Sequence, residues 1–345
     1  MRTKQRGAGT VAEHVAVVGA GSWGTAFAVL AAEQGDPVTL WARRGELAER
    51  LQKNRVSTEY LEGLALPESL VVTSDLDVAV REASVVVTAV PSHAMREVMR
   101  SAAGAIPSDA VVMNLSKGIE QGSLARMSEL LAQELGRPDG QAIACLSGPN
   151  HAEEVSKRVP SATVIACADG QVAKSLQQRF MRDYFRVYTN DDLVGVECAG
   201  AAKNVIAIAA GASDGLGFGD NTKASLITRG LAEVTRFGVA LGARPLTFLG
   251  LAGVGDLVVT CMSRHSRNRA VGELLATGKT TEDIVSHMRM VAEGIRTAPA
   301  LEELSTRLGV EMPITSQVAA VLDGRVDVRQ TVMNLMGRDP AEEER

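Results

Sequence analysis

The sequence predicts an α/β domain with a doubly wound parallel sheet, followed by an all-α domain. From residue 14 to about residue 188, short β-branched runs alternate with helical stretches, which is the pattern of parallel βαβ units. After a polar break at 189–192 no convincing strand follows, and the remaining segments have helical spacing. The length of 345 residues agrees with two domains, because one domain usually has roughly 100 to 200 residues.

Eight segments are predicted as strands, and their continuous apolar character predicts burial on both faces of the sheet. These strands are 14–18, 37–41, 71–73, 84–90, 110–115, 142–146, 161–166 and 185–188. A helix is expected over 24–34, with Gly35 in the left-handed conformation that ends many helices. Further helices are expected over 194–212, 221–241, 267–276, 296–308 and 315–322.

Composition excludes several classes of protein. Hydrophobic residues make up 46% and charged residues 22%, which is typical of a globular chain rather than a disordered one. The net charge of -5 provides no basic field for nucleic acid or an anionic membrane. The longest apolar runs, such as 205–212, are shorter than the roughly 18 to 20 residues of a membrane span, and no signal peptide is predicted.

Cysteine usage indicates the compartment. Cys145, Cys167, Cys198 and Cys261 are far apart in the sequence and form no C-x-x-C pair. Neither a disulfide framework nor a metal site is therefore predicted. A reduced, cytoplasmic setting is expected.

A glycine motif opens the first predicted helix. Gly19, Gly21 and Gly24 form a G-x-G-x-x-G with Ser22 and Trp23 inside it, directly after the first predicted strand. Glycine permits a tight turn and a close approach of backbone to a pyrophosphate, while free N–H groups at the helix start attract the anion. In this context the motif predicts a Rossmann-like dinucleotide site, and the alternative is a glycine-rich structural turn.

The second predicted strand bears on the choice of dinucleotide. NAD-binding folds usually place Asp or Glu at its end to hold the ribose hydroxyls, but here Arg43 and Arg44 follow Trp41 and Ala42. Two guanidiniums can grip a 2′-phosphate, so the cofactor is expected to be NADP or NAD, with NADPH preferred. The alternative is an ordinary solvated arginine pair.

Three polar or glycine-rich loops, 90–92, 116–118 and 147–150, follow predicted strands and are expected to line a crevice. Lys117 in the second loop is either a charge facing a phosphate or carbonyl, or a surface lysine.

The predicted helix around Lys203 places a cation among small apolar residues. At about 100° per residue, one arc of this helix holds Glu197, Gly200, Lys203, Asn204, Gly211 and Asp214. That arc is either a solvated face or the wall of a cleft. Gly200 and Gly211 each cost about 1 kcal/mol relative to Ala in a helix, which favours a close neighbour at these positions. In a partly desolvated cleft, Lys203 would have a lowered pKa and could exchange a proton near neutrality.

A basic loop precedes the helix predicted at 267–276. Ser263, Arg264, Ser266, Arg267 and Arg269 concentrate three guanidiniums and two hydroxyls in a short stretch of an acidic protein. This composition favours an anion pocket, and the alternative is a charged exposed loop. Upstream, the glycine-rich turn 250–256 ends in a carboxylate that is able to accept substrate hydroxyls or steer a cation.

Taken together and in order, these motifs resemble the NAD(P)-dependent glycerol-3-phosphate dehydrogenase family in its bacterial form. The resemblance runs from about residue 14 to residue 336. Its pieces are Gly19-Ala-Gly-Ser-Trp-Gly-Thr, Ser116-Lys-Gly, Leu146-Ser-Gly-Pro, Lys203-Asn204, Thr228-Arg-Gly-Leu-Ala-Glu, Gly253-Val-Gly-Asp, Ser266-Arg-Asn and Val291-Ala-Glu-Gly.

The resemblance implies reduction of dihydroxyacetone phosphate to sn-glycerol 3-phosphate, a precursor of glycerophospholipids. It implies that Lys203 accepts the proton in oxidation and donates it in reduction. Substrate positions implied are Lys117, Gly148, Asn150, Lys203, Asp256, Ser266, Arg267 and Asn268. Cofactor positions implied beside the three glycines are Ser22, Trp23, Arg43, Arg44, Lys117, Ala152, Arg267, Val291 and Glu293. Departures from the family pattern are Asn150 where Ser is common, His151 where an aromatic residue often follows, and Glu62 where Pro is frequent.

The predicted organisation is a disordered extension over 1–13, a dinucleotide-binding domain over 14–190, a helical substrate and catalytic domain over 191–337 and an acidic tail over 338–345. A homodimer is expected only from the general prevalence of that state. Two other functions remain open at this stage. One is a related dehydrogenase that acts on another hydroxy or keto acid, and the other is a non-catalytic dinucleotide sensor.

Overall fold

A computed structural model describes residues 13–138, 140–288, 290–339 and 342. The extension predicted over 1–13 lies outside the described residues except for Glu13, and most of the tail beyond 339 lies outside them too. All eight predicted strands are present, within three residues of their expected ends. They are β1 (His14–Val18), β2 (Val38–Trp41), β3 (Leu70–Thr73), β4 (Ala83–Thr88), β5 (Val111–Asn114), β6 (Ile143–Ser147), β7 (Ser161–Cys167) and β8 (Phe185–Asn190).

The strands form one sheet with the order β3-β2-β1-β4-β5-β6-β7-β8. Strands β1 to β6 are parallel, but β7 is antiparallel to β6, and β8 is parallel to β7. The prediction of a wholly parallel sheet is therefore wrong at one place. A parallel crossover needs a helix that returns along the strand, whereas the only helix between β6 and β7 has four residues (Ala152–Val155).

The two edge strands also depart from the prediction. Val71 in β3 is 49% exposed and Tyr188 in β8 is 48% exposed, because each strand alternates between a buried and an open face. Burial on both faces is confirmed for the central strands, such as β4 and β6. Each edge strand pairs with one neighbouring strand only. The helices cover one face of β3 and of β8, so the side chains on the other face are exposed.

Helices cover both faces of the sheet. They are α1 (Ser22–Ala32), α2 (Gly45–Asn54), α3 (Leu76–Val80), α4 (Met95–Ala102), α5 (Met127–Glu134), α6 (Ala152–Val155) and α7 (Gly170–Phe180), with a 3-10 turn at Ser92–Ala94. On one face Phe27, Phe180 and Phe185 are fully buried, and on the other Met95 and Met99 are. Gly35 has the predicted left-handed conformation, with φ of 84°.

Among the described residues no strand follows β8. The chain continues as α8 (Leu193–Gly215), α9 (Asp220–Ala240), α10 (Pro245–Phe248), a π-helical turn (Leu251–Gly255), α11 (Asp256–Met262), α12 (Arg267–Ala276), α13 (Thr281–His287), α14 (Glu293–Leu308), α15 (Pro313–Leu322) and α16 (Val328–Met336). This confirms the Rossmann-like sheet followed by an all-α region. Helices α10, α11, α13 and α16 were not predicted, because each is short.

Helix α8 lies at the centre of the helical region and is almost wholly buried. A Cβ atom at Gly211 would lie 1.9 Å from the carbonyl oxygen of Arg269, and one at Gly272 would lie 2.0 Å from that of Ile208. Glycines therefore allow the backbones of α8 and α12 to touch, which fixes the start of α12 against α8. The close neighbour expected at Gly211 is α12.

Two stretches, Leu193–Gly215 and Pro245–Met262, are long and apolar enough to cross a membrane by length and composition. In their most apolar windows, 78% of the first and 44% of the second are buried inside the protein. The prediction from uninterrupted apolar runs overlooked both, because isolated polar residues divide them. They are weak evidence for a span, since the core helix of a globular protein passes the same test.

Candidate active site

A cleft of about 490 Å³ lies between the carboxyl ends of the strands and the helices α8, α11, α12 and α14. Sixteen of the eighteen residues predicted for the site line it. They are Gly19, Gly21, Ser22, Trp23, Arg43, Arg44, Lys117, Asn150, Ala152, Lys203, Asp256, Ser266, Arg267, Asn268, Val291 and Glu293. Gly24 and Gly148 lie beside the cleft and do not line it.

The glycine turn between β1 and α1 forms one end of the cleft. Gly19 has φ of 120°, and a Cβ there would lie 2.7 Å from the carbonyl oxygen of Ala89. A Cβ at Gly24 would lie 1.8 Å from the carbonyl oxygen of Gly19, so Gly24 serves the tight turn itself. No described side chain caps α1 at Gly21, and a Cβ there would have no described atom within 4 Å. The turn thus leaves the first N–H groups of α1 without a side-chain partner and provides room for an anion, which fits a dinucleotide pyrophosphate.

The arginines after β2 lie along the same wall but have different surroundings. Arg43 makes no hydrogen bond or ion pair with a described residue. The guanidinium of Arg44 is ion-paired with Glu59, which also contacts Arg50 at 2.7 Å. The hydroxyl of Tyr60 lies 3.4 Å from Arg44 Nη2. The two arginines therefore differ in how much of their charge is already paired with a carboxylate.

Lys203 lies at the base of the cleft, and its side chain is 9% exposed. Its Nζ donates to Asp256 Oδ1 and to Thr260 Oγ1, the latter at 2.8 Å. The other oxygen of the same carboxylate, Oδ2, accepts from Lys117 Nζ at 2.7 Å. Asp256 thus joins two lysines that come from opposite parts of the chain, one after β5 and one in α8.

Burial sets the protonation of this group. Desolvation lowers the pKa of Lys203 to about 7, although Asp256 acts to raise it. For Asp256, burial acts to raise the pKa, but the charges of Lys117 and Lys203 outweigh that effect and hold the pKa below its usual value. The site therefore contains a permanent carboxylate beside an amine that gains and loses a proton near neutral pH.

The arc of α8 that holds Lys203 is not a solvated face. Glu197 is buried and accepts hydrogen bonds from Arg126 at 2.6 Å and from Ser128. A Cβ at Gly200 would lie 3.0 Å from Ser147 Oγ and 3.5 Å from Lys117 Cγ. The close neighbours expected at Gly200 are therefore the loops that end β5 and β6, and the absence of a side chain there lets Lys117 reach Asp256.

Side-chain amides hold the polar end of the cleft together. Asn204 Nδ2 donates to the carbonyl of Lys117 at 3.1 Å, and Asn204 Oδ1 accepts from Asn268 Nδ2 at 2.9 Å. Asn268 Oδ1 in turn accepts from the N–H of Gly294 at 2.9 Å. This chain of bonds positions the first turn of α12 relative to α8 and α14.

The side chain of Asn150 donates to Thr163 Oγ1 at 2.7 Å, so its amide is tied to β7. Gly148 has φ of 139°, and its carbonyl accepts from Lys117 Nζ at 3.3 Å. Gly148 therefore contacts the lysine and stays behind the cleft surface.

In the basic loop before α12, only Arg267 of the three arginines lines the cleft. Arg269 is ion-paired with Asp214 at 2.8 Å and with Glu273 at 2.7 Å, and Arg264 is exposed outside the cleft. The sequence predicted an anion pocket with three guanidiniums, but only one of the three lines the cleft. Ser266 accepts a hydrogen bond from the N–H of Arg269 at 3.2 Å and caps α12.

Glu293 connects the two halves of the cleft. It begins α14 and accepts hydrogen bonds from the N–H of Ser92 at 3.0 Å and from the Ser92 hydroxyl, in the turn after β4. Ser22 Oγ lies 3.3 Å from the sulfur of Met290, just before α14. The segment that contains Met290 and Val291 therefore covers the glycine turn.

The sequence profile described as "NAD-dependent glycerol-3-phosphate dehydrogenase N-terminus" matches residues 14–173, and the profile of the C-terminus matches residues 192–333. The chain belongs to the NAD-dependent glycerol-3-phosphate dehydrogenase family. This confirms the resemblance carried by the motifs.

Individual relatives agree with the family. A Chlorobium luteolum protein named glycerol-3-phosphate dehydrogenase [NAD(P)+] is 50% identical over 330 residues, which is 96% of this chain and 99% of the relative. A Prosthecochloris aestuarii protein of the same name is 49% identical over 95% of this chain and 99% of the relative. The crystal structure of glycerol-3-phosphate dehydrogenase from Coxiella burnetii has a TM-score of 0.89 at 37% identity, covering 94% of this chain and 99% of that one.

Tyr60, Thr260 and Met290 are among the residues that line the cleft of this dehydrogenase and were not predicted as site residues. Thr260 lies four residues after Asp256, so helical spacing places both on one face. This spacing could have located Thr260 from the sequence, but only if α11 had been predicted as a helix. Tyr60 and Met290 reach the cleft from loops, where no periodic pattern exists to locate them.

Proposed function

We propose that this dehydrogenase reduces dihydroxyacetone phosphate to sn-glycerol 3-phosphate, with NADPH preferred over NADH, and that Lys203 supplies the proton. The observation that supports this proposal most directly is the buried Lys203, which is hydrogen-bonded to Asp256 and Thr260 at the base of the cleft. Its pKa of about 7 lets it donate a proton in reduction and accept one in oxidation at neutral pH.

The residues around the cleft suit a nicotinamide dinucleotide. The turn at Gly19 and Gly21 and the start of α1 would hold the pyrophosphate, and Arg43 and Arg44 would hold a 2′-phosphate. Trp23, Ala152 and Glu293 line the space between these ends. When bound, the reduced nicotinamide supplies the hydride, so the chain itself needs no redox group.

Proton transfer belongs to the chain. As hydride reaches the carbonyl carbon, negative charge develops on the carbonyl oxygen, and protonated Lys203 donates its proton there to complete the alcohol. Lys117 adds a second positive charge near the same carboxylate and favours the developing alkoxide. Asp256 holds both ammonium groups in place and remains ionised throughout.

The substrate phosphate needs an anion site at the other end. Arg267 makes no ion pair with a described residue, and it stands at the first position of α12. The N–H groups of that first turn and Asn268 add donors to its guanidinium. A single uncompensated arginine at a helix start is enough to bind a phosphate bidentately.

The same proposal includes the cellular compartment and the oligomeric state of the enzyme. All four cysteines are free and buried, which agrees with a reducing compartment, and we place the enzyme in the cytoplasm as a homodimer. The product would supply glycerophospholipid synthesis. The domain bounds at 14–190 and 191–337 remain our assignment.

The test is to mix purified protein with NADPH and dihydroxyacetone phosphate and to follow the loss of reduced-nicotinamide absorbance. NADH and unphosphorylated dihydroxyacetone serve as matched comparisons. We expect rapid oxidation that depends on the phosphate and is faster with NADPH at low cofactor concentration. A protein that binds NADPH but oxidises it only with another keto compound would contradict the assigned substrate.

A further inference from the structure

Glu59 lies at the rim of the cleft, between two arginines. It precedes Tyr60, which lines the cleft wall, and its side chain is 29% exposed. One carboxylate oxygen contacts Arg44 Nη2, and the other contacts Arg50 Nη2 at 2.7 Å. The proposed reaction gives this residue no role.

The ion pair makes the two cofactor arginines unequal. Arg44 lines the cleft, but part of its charge is already neutralised by a carboxylate. Arg43 lines the same wall and pairs with no described residue. A 2′-phosphate that arrives at this wall would meet one uncompensated guanidinium, one compensated guanidinium and one nearby negative charge.

We propose that Glu59 limits the preference for NADP over NAD by opposing the 2′-phosphate of NADP through Arg44. A carboxylate competes with phosphate for the same guanidinium N–H groups and repels the phosphate charge. NAD carries a neutral hydroxyl at that position, so its binding is insensitive to the competition. The inference rests on the proposed 2′-phosphate role of Arg43 and Arg44.

Glu59 is ionised under the conditions where the enzyme would work. Partial burial acts to raise its pKa, but the hydrogen bonds and charges of Arg44 and Arg50 lower the pKa below its usual value. The groups that face Glu59 are these two arginines on α2 and just before it. Its negative charge is therefore constant near neutral pH and opposes a bound 2′-phosphate throughout that range.

The experiment measures binding of NADP and NAD to the full-length Glu59→Gln variant by titration calorimetry, so the readout does not depend on turnover. We expect NADP to bind about 3- to 10-fold more tightly than in the parent and NAD to change less than about 2-fold. Raising the salt concentration should reduce the gain, because exposed charges are screened over about 10 Å at 0.1 M. Glu62→Gln removes an exposed carboxylate from the same loop without touching Arg44 and should change neither affinity.

A second variant shows whether Glu59 acts through Arg44. In an Arg44→Ala background, Glu59→Gln should have little further effect on NADP, because the competed group is gone. Unchanged or weaker NADP binding in Glu59→Gln, or equal gains for NADP and NAD, would overturn the inference. Arg43→Ala tests the underlying assignment separately: equal losses for NADP and NAD there would contradict the 2′-phosphate role itself.

Discussion

Lys203 and Asp256 form a buried ion pair although 53 residues separate them in the sequence. The pair brings a helix core lysine and the first residue of α11 together at the base of the cleft. Because Asp256 also binds Lys117, one carboxylate positions both of these lysines, which line the cleft. Replacing any member therefore has an effect on the other two.

Replacing Lys203 by Ala should remove the proton donor and lower kcat by about 10²- to 10⁴-fold, while NADPH binding stays near the parent value. Steady-state rates and a fluorescence titration with NADPH measure the two quantities. Lys223→Ala is the matched control, since Lys223 pairs with Asp214 away from the cleft. Turnover at the parent rate in Lys203→Ala would show that another group supplies the proton.

Asp256→Asn should shift the pH dependence of the reaction. The carboxylate raises the pKa of Lys203, so its removal lowers that pKa below about 7. Reduction needs protonated Lys203, and its rate should therefore decline at a pH about one unit lower than in the parent. Oxidation needs neutral Lys203, and its rising limb should move in the same direction. Profiles of kcat in both directions provide the test, and a shift to higher pH would contradict this electrostatic account.

Arg267→Ala should raise the KM for dihydroxyacetone phosphate by about 10- to 100-fold, because a charge-assisted hydrogen bond contributes roughly 1.5 to 3 kcal/mol. The expected loss is smaller for an unphosphorylated ketone, whose binding never used the guanidinium. Arg264→Ala is the control, as Arg264 is exposed in the same loop and does not line the cleft. Equal effects of both substitutions would show that only the loop charge matters.

Gly211→Ala should separate α8 from α12, because the new Cβ would lie 1.9 Å from a backbone oxygen of Arg269. We expect the free energy of unfolding to fall by about 1 to 3 kcal/mol, despite the better helix propensity of Ala. Urea unfolding measures the change. Gly170→Ala is the control, since a Cβ at the start of α7 meets no atom of a described residue within 4 Å. A destabilisation equal to that of the control would contradict the close approach.

Much of the fold follows from local pattern. The eight strands, the helix after the glycine turn and the long helices were predicted because apolar periodicity and turn residues are recorded in neighbouring positions. Three kinds of feature were not predicted, namely the antiparallel β7, the short helices and the open faces of β3 and β8. These depend on what each segment packs against, which is not recorded within the segment itself.

The sequence by itself determined the chemistry that the protein holds: a glycine turn before a helix, arginines after β2, and Lys203 with its neighbouring motifs, in an order that resembles one dehydrogenase family. Only the tertiary structure decided which charges remain available. Asp214 and Glu273 pair with Arg269 and Glu59 pairs with Arg44, whereas Arg43 and Arg267 form no ion pair with a described residue. The pKa of Lys203 likewise depends on burial and on Asp256. The physical reason is that electrostatic and desolvation energies depend on distance in space, and folding alone brings distant charges together.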